Sequence, residues 1–194
     1  LALDLTERLN TKKGNAKALM FWSFHIQHWK VHLRRTITFL VDAYQNAVET
    51  GDFESAGYTA YFLCHNSFFA GEKLTQLEQK TATYSKAINQ IRQESPSNWL
   101  AILWQTILNL LDRSENPSRL VGRVCNEEEA LSHAIAVKDE TAIQILYLHK
   151  VMLCYLFEEH YQAGQTAILA RQHFEEVATG NIGTRSLRTV IEHP

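Results

Sequence analysis

Apolar residues along this chain recur every three or four positions, the period of a helix with one buried face. Leu33, Ile37, Leu40, Tyr44 and Ala47 form one such stripe. Leu74, Leu77, Thr81, Tyr84, Ile88 and Ile91 form a second, and Ala163, Ala167, Ala170, Phe174 and Val177 a third. Between them lie segments that are apolar around most of the circumference: Tyr58 to Phe68, Trp99 to Leu108 and Ile143 to Leu153. Such helices need cover on several sides. Enclosed helices that alternate with helices having one wet face predict a stack of antiparallel hairpins, each burying its inner helix against the next.

Helix punctuation divides the pattern. Gly51-Asp52 supplies a stop and an N-cap, Ser95-Pro96-Ser97 a start, Asn126 before three glutamates another start, and Asp139-Glu140 a fourth; Gly180 closes the last helix. Eight helices are expected at about 14–29, 32–49, 52–69, 73–94, 97–112, 126–137, 140–157 and 161–178. They pair as hairpins over about 14–49, 52–94, 97–137 and 140–178. The fold class is therefore all-α, a TPR-like superhelical stack of about four antiparallel helical hairpins in one helical-repeat domain over 1–194, with a plain helical bundle as the rival. The stretch Ser114 to Arg123 is expected to be a surface loop. A weak internal repeat supports the stack: Leu63-Cys64-His65-Asn66-Ser67-Phe68-Phe69 and Leu153-Cys154-Tyr155-Leu156-Phe157-Glu158-Glu159 each end an inner helix, 90 residues apart.

Composition narrows the function classes. A hydrophobic share of 45% supports a real core, and 19 basic against 21 acidic residues, scattered along the chain, leave no basic stripe to track nucleic acid. Cys64, Cys125 and Cys154 are far apart with no CxxC spacing, which fits a reducing, cytoplasmic compartment. The most apolar run, Trp99 to Leu111, is interrupted by polar residues and falls short of the ~20 residues of a membrane span. The chain opens on Leu1 without a Met start, and is read as a piece of a larger protein.

Candidate chemistry is sparse. His25, His28 and His32 invite a metal reading, but a helix break near Lys30 and Val31 separates the third, and no HExxH or Cys/His pairing accompanies them. Glu127-Glu128-Glu129 and Glu158-Glu159-His160 fit helix ends. No phosphate-cradling loop or nucleophile elbow occurs, so no catalytic residue, metal or cofactor is expected. A partner groove, if present, is expected along the inner helices, lined by Tyr61, His65, Asn66, Gln105, Asn109 and His149.

From Trp29-Lys30 through Thr50-Gly51-Asp52-Phe53-Glu54-Ser55-Ala56-Gly57-Tyr58 to Phe68-Phe69-Ala70-Gly71, and again from Ile145-Leu146-Tyr147-Leu148-His149-Lys150 to Phe157-Glu158-Glu159, the chain resembles the helical region of large multidomain signalling kinases typical of cyanobacteria. In that family a serine/threonine kinase domain and an AAA-type ATPase domain precede a TPR-like region, followed by a GAF sensor and a histidine kinase of the two-component type. No catalytic residue of the family maps onto this chain. The resemblance implies a non-catalytic regulatory or scaffolding module that binds neighbouring domains or another protein. The alternative is a small-molecule sensor with a pocket among the inner helices.

Overall fold

The computed structural model describes residues 12–178, with side chains for 16–173. Among the described residues there are eight α-helices and no strands: α1 (Lys12–Phe21), α2 (Leu33–Glu49), α3 (Phe53–Phe69), α4 (Leu74–Gln90), α5 (Glu94–Leu110), α6 (Glu127–Val137), α7 (Glu140–Leu156) and α8 (His160–Ala178). The chain divides into two compact units, 1–107 and 108–194, the boundary falling inside α5. Gly180 lies outside the described residues.

In the first unit α1 packs on α2, α2 on α3, and α3 on α4. The enclosed character of α3 is explicit: Ala56, Ala60, Tyr61, Leu63 and Cys64 are all buried, together with the small residues Ser55, Gly57, Thr59 and Ser67. By contrast α2 buries only Thr36, Leu40, Ala43 and Ala47, spaced by four, three and four. Helix α4 likewise buries Leu77, Thr81 and Ile88 on one face. The start of α5 lies close against α3. A Cβ added at Gly57 would stand 2.9 Å from Pro96 Cγ and 3.1 Å from Gln93 Cβ, so glycine is what admits the close approach.

In the second unit α7 packs between α6 and α8 and buries Ile143, Ile145, Leu146 and Leu153, the enclosed pattern again. Helix α8 exposes its outer side and buries Ala163, Thr166 and Ala170. The expected surface loop is instead partly an interior element. Leu120 is fully buried and Ser118 nearly so, because Asn109 Nδ2 donates to the carbonyls of Pro117 and Arg119 and draws the segment onto the end of α5.

Helix starts and stops follow from local chemistry. The carboxylates of Asp52 and Asp139 accept from the N–H groups of Ser55 (3.2 Å) and Ala142 (2.9 Å), and Asn126 Oδ1 accepts from Glu128 (3.0 Å). Helix α5 departs from expectation. It begins at Glu94, so Pro96 lies in its first turn, where the missing N–H costs nothing. Six helices close identically. The N–H groups of Asp52, Glu72, Gln93, Arg113, Asp139 and Glu159 donate to the carbonyls of Ala47, Ser67, Ile88, Leu108, Ala134 and Cys154, five residues back, with a left-handed residue between them. That residue is glycine twice, Gly51 (φ 68°) and Gly71 (φ 74°), and otherwise Arg92 (φ 53°), Asp112 (φ 58°), Lys138 (φ 56°) and Glu158 (φ 63°).

These closures set the repeat. The accepting carbonyls at 47 and 88, and at 67 and 108, are each 41 positions apart, longer than the ~34-residue TPR unit. Across the two inner helices the equivalent positions are Ser67 and Cys154, 87 apart. The sequence repeat at 90 is thus displaced by about one helical turn, a shift that keeps the same face inward.

The first predicted helix is not uniform. After α1 the backbone passes into a π turn at Trp22–Ile26 and a 3-10 turn at Gln27–Trp29, before breaking near Lys30 and Val31 as the sequence suggests. His32 then caps α2, its Nδ1 accepting from the N–H of Arg34 at 3.1 Å.

Candidate functional site

The six residues expected to line an inner groove are mostly interior. Tyr61 and Asn66 are 2% exposed and Gln105, Asn109 and His149 are 0% exposed, while His65 is half-buried. The side-chain amides of Asn66 and Asn109 serve the fold. Asn66 Nδ2 donates to Thr36 Oγ1 at 2.8 Å, and that hydroxyl donates to the carbonyl of Leu33 at 2.7 Å, tying α3 to the start of α2. Asn109 holds the 117–119 loop as described above. Tyr61 packs edge-on against Trp99, ring centroids 5.4 Å apart, and burial pushes its phenol well above the usual range. The structure brings Tyr61, His65 and Asn66 together. Asn109 and His149 belong to the second unit.

An irregular segment of the first unit carries buried polar side chains. The π turn closes with Gln27 N–H bonded to the Trp22 carbonyl, an i to i+5 link. Ser23 is 0% and Gln27 5% exposed. Ser23 Oγ, Gln27 Oε1 and His28 Nδ1 are buried with no hydrogen-bond partner among the described residues. Such burial costs about 1–3 kcal/mol per atom when nothing compensates it. Phe24 stacks on Phe62 of α3 at 3.8 Å and meets His65 edge-on at 5.5 Å. Burial pushes His65 down to about 4, partly opposed by its contact with Asn66 and reinforced by His28; burial also lowers His25.

The second unit holds a buried carboxylate. Glu127, 4% exposed, accepts from Lys150 Nζ at 2.8 Å and Arg119 Nε at 3.4 Å through Oε1, and from the Leu120 N–H at 2.9 Å through Oε2. Burial raises its pKa, but Lys150, the Leu120 N–H and Arg119 together outweigh it and hold it below the ordinary value. Both carboxylate oxygens are engaged by the chain. This is an internal clamp between α6, α7 and the loop.

Nucleophile chemistry is disfavoured at the cysteines. Burial pushes Cys64 and Cys125 up to about 12 and also raises Cys154, so the thiol form dominates at neutral pH. Among the described residues no group of three or more His, Cys, Asp or Glu side chains is placed to hold a metal ion, and no helix is long and apolar enough to cross a membrane.

Four uncovered apolar or aromatic side chains cluster at the turn joining α7 to α8, while others, Phe21, Ile26 and Trp29, are exposed in the first unit. Tyr155 is 66%, Leu156 53%, Phe157 37% and Tyr161 77% exposed. The glutamates and the histidine between them, Glu158, Glu159 and His160, are exposed too. Glu159 reaches back to Ser118 Oγ at 2.9 Å. No protein-family model, curated protein or solved structure matches this chain.

Proposed function

We propose that this chain is a non-catalytic protein-interaction module whose contact surface is the α7–α8 tip. The observation that carries it is the exposure of Tyr155, Leu156, Phe157 and Tyr161 beside Glu158. Tyrosine supplies large contact area at low entropic cost, and interface hot spots are enriched in it. A partner suited to this edge offers apolar side chains flanked by Lys or Arg, which the exposed carboxylate favours. The resemblance to multidomain signalling kinases supports a regulatory or scaffolding role, with neighbouring kinase domains as the first partners to test.

A photo-crosslinking amino acid at Tyr161 tests this in the intact protein. The reading expects a discrete adduct that the substitution Tyr155→Ser weakens, and direct binding when the adduct partner is purified. An adduct insensitive to Tyr155→Ser, or none, refutes it.

A further inference from the structure

The irregular backbone after α1 aligns exposed apolar side chains. Phe21 is 47%, Ile26 50% and Trp29 62% exposed. In an uninterrupted α-helix, successive steps of five and three residues would spread these three around the cylinder. Here a π turn spans Trp22–Ile26 and a 3-10 turn Gln27–Trp29. A π turn brings i+4 and i+5 to the side of residue i, and a 3-10 turn brings i+3 there, so Phe21, Ile26 and Trp29 share one ridge. His25 joins its ends: its ring stacks on Phe21 at 5.5 Å, and its carbonyl accepts from Trp29 Nε1 at 3.1 Å.

Charge along this part of the chain has one sign. Between Glu7 and Asp42 the sequence carries Arg8, Lys12, Lys13, Lys17, Lys30, Arg34 and Arg35 and no carboxylate. Lys30, next to Trp29, is exposed, and so is Arg35, one turn before the Phe39 that meets Trp22 edge-on at 5.5 Å. The first carboxylate of α2, Asp42, lies about one turn beyond Phe39. Glu49 and Glu54 follow Ala47 and precede Ala56, which pack on Ala16, more than one turn back along α1 from Phe21. Glu72, in the turn that Arg34 reaches through the Ala70 carbonyl, is paired with Lys80 at 2.5 Å.

We propose that this ridge docks the protein peripherally on an anionic lipid bilayer, with Phe21, Ile26 and Trp29 inserted among the headgroups and Lys30 and Arg35 facing lipid anions. An exposed helical ridge is convex and gives a peptide no groove to lie in, whereas a bilayer surface admits protruding apolar side chains while long cations stay at headgroup level. Trp favours that boundary in particular. Lys and Arg near the surface add attraction to anionic lipid. The ridge is independent of the α7–α8 tip.

The test sediments the full chain with phosphatidylcholine vesicles and with vesicles carrying about 30% phosphatidylserine, in about 0.1 M salt. Binding to the anionic vesicles is expected to be at least about tenfold tighter than to the neutral ones. Lys30→Gln with Arg35→Gln should weaken it about tenfold or more, and Ile26→Ser with Trp29→Ser should do the same through lost apolar insertion. If the apolar variant has a lowered melting temperature, the charge variant, altered only at exposed positions, is read instead. No sedimentation with anionic vesicles, equal binding to both compositions, or unchanged binding by every variant that folds overturns the proposal. So does saturable binding of a soluble Glu-rich peptide by a chain that ignores vesicles, which would assign the ridge to an acidic protein segment.

Discussion

Replacing Lys138 with glycine should make the protein more stable. Lys138 closes α6 at φ 56°, where an L side chain costs about 1–2 kcal/mol that glycine escapes. Glycine gives back about 0.5–1 kcal/mol through the freedom of the unfolded chain. The net gain is about 0.5–1 kcal/mol. Lys138 is exposed, so little packing is lost. In urea, with a slope of about 2 kcal/mol per M, the midpoint should rise by about 0.3–0.5 M at constant slope. Glu158→Gly should do the same for α7 and Arg92→Gly for α4, while Asp112→Gly gains less because Asp tolerates this region better. Gly51→Ala is the mirror control: nothing stands within 4 Å of its added Cβ, yet φ 68° predicts a loss of about 1 kcal/mol from backbone strain alone. A midpoint that Lys138→Gly lowers, or raises no more than Lys138→Ala does, would rule out backbone strain at this position.

Further consequences follow from other contacts. Gly57→Ala should cost about 1 kcal/mol, since overpacking against Pro96 and Gln93 at about 1–3 kcal/mol exceeds the helix-propensity gain of about 1; Pro96→Ala should recover part of it in a double-mutant cycle. His65 titrates from 6.5 when unfolded to about 4 when folded. The unfolded chain therefore binds the proton first, and stability present above pH 6.5 should fall by about 3 kcal/mol as pH drops toward 4; equilibrium unfolding across this range should show the slope, and His65→Gln should flatten it. Glu127→Gln should cost about 3 kcal/mol at pH 7 by leaving Lys150 without its counter-charge. Because the Glu127 carboxyl is held below 4.5, the gap to wild type should narrow only as pH falls below that value.

Much of the fold is legible in the sequence where the signal is local. Asp52, Asn126 and Asp139 read as caps and are caps, and the contrast between striped α2 and enclosed α3 reproduces the observed burial. What escapes is set by tertiary context. Trp22-Ser23-Phe24-His25-Ile26 suits an α-helix as well as a π turn, and the choice accompanies packing of Phe24 on Phe62. Arg92, Lys138 and Glu158 have no preference for left-handed backbone, so only the closing hydrogen bonds reveal them. Glu127 looks like one of three first-turn carboxylates; its burial depends on Lys150, 23 residues away. The expected groove residues show the reverse relation between sequence and burial. Polar side chains on an enclosed helix suggest an open surface, but Asn66 and Asn109 satisfy internal groups, while Tyr155, Phe157 and Tyr161 are exposed at the α7–α8 turn.

That contrast between interior and tip can be measured. The affinity of the crosslinked partner, purified and titrated against wild type, Tyr155→Ser, Tyr161→Ser and Asn66→Ala, separates the two surfaces. Both tip variants should bind at least about tenfold more weakly, as expected for hot-spot tyrosines, with an unchanged melting temperature. Asn66→Ala should lower the melting temperature and leave the affinity of the folded fraction unchanged. Normal binding by both tip variants, or a binding loss confined to Asn66→Ala, would contradict the account.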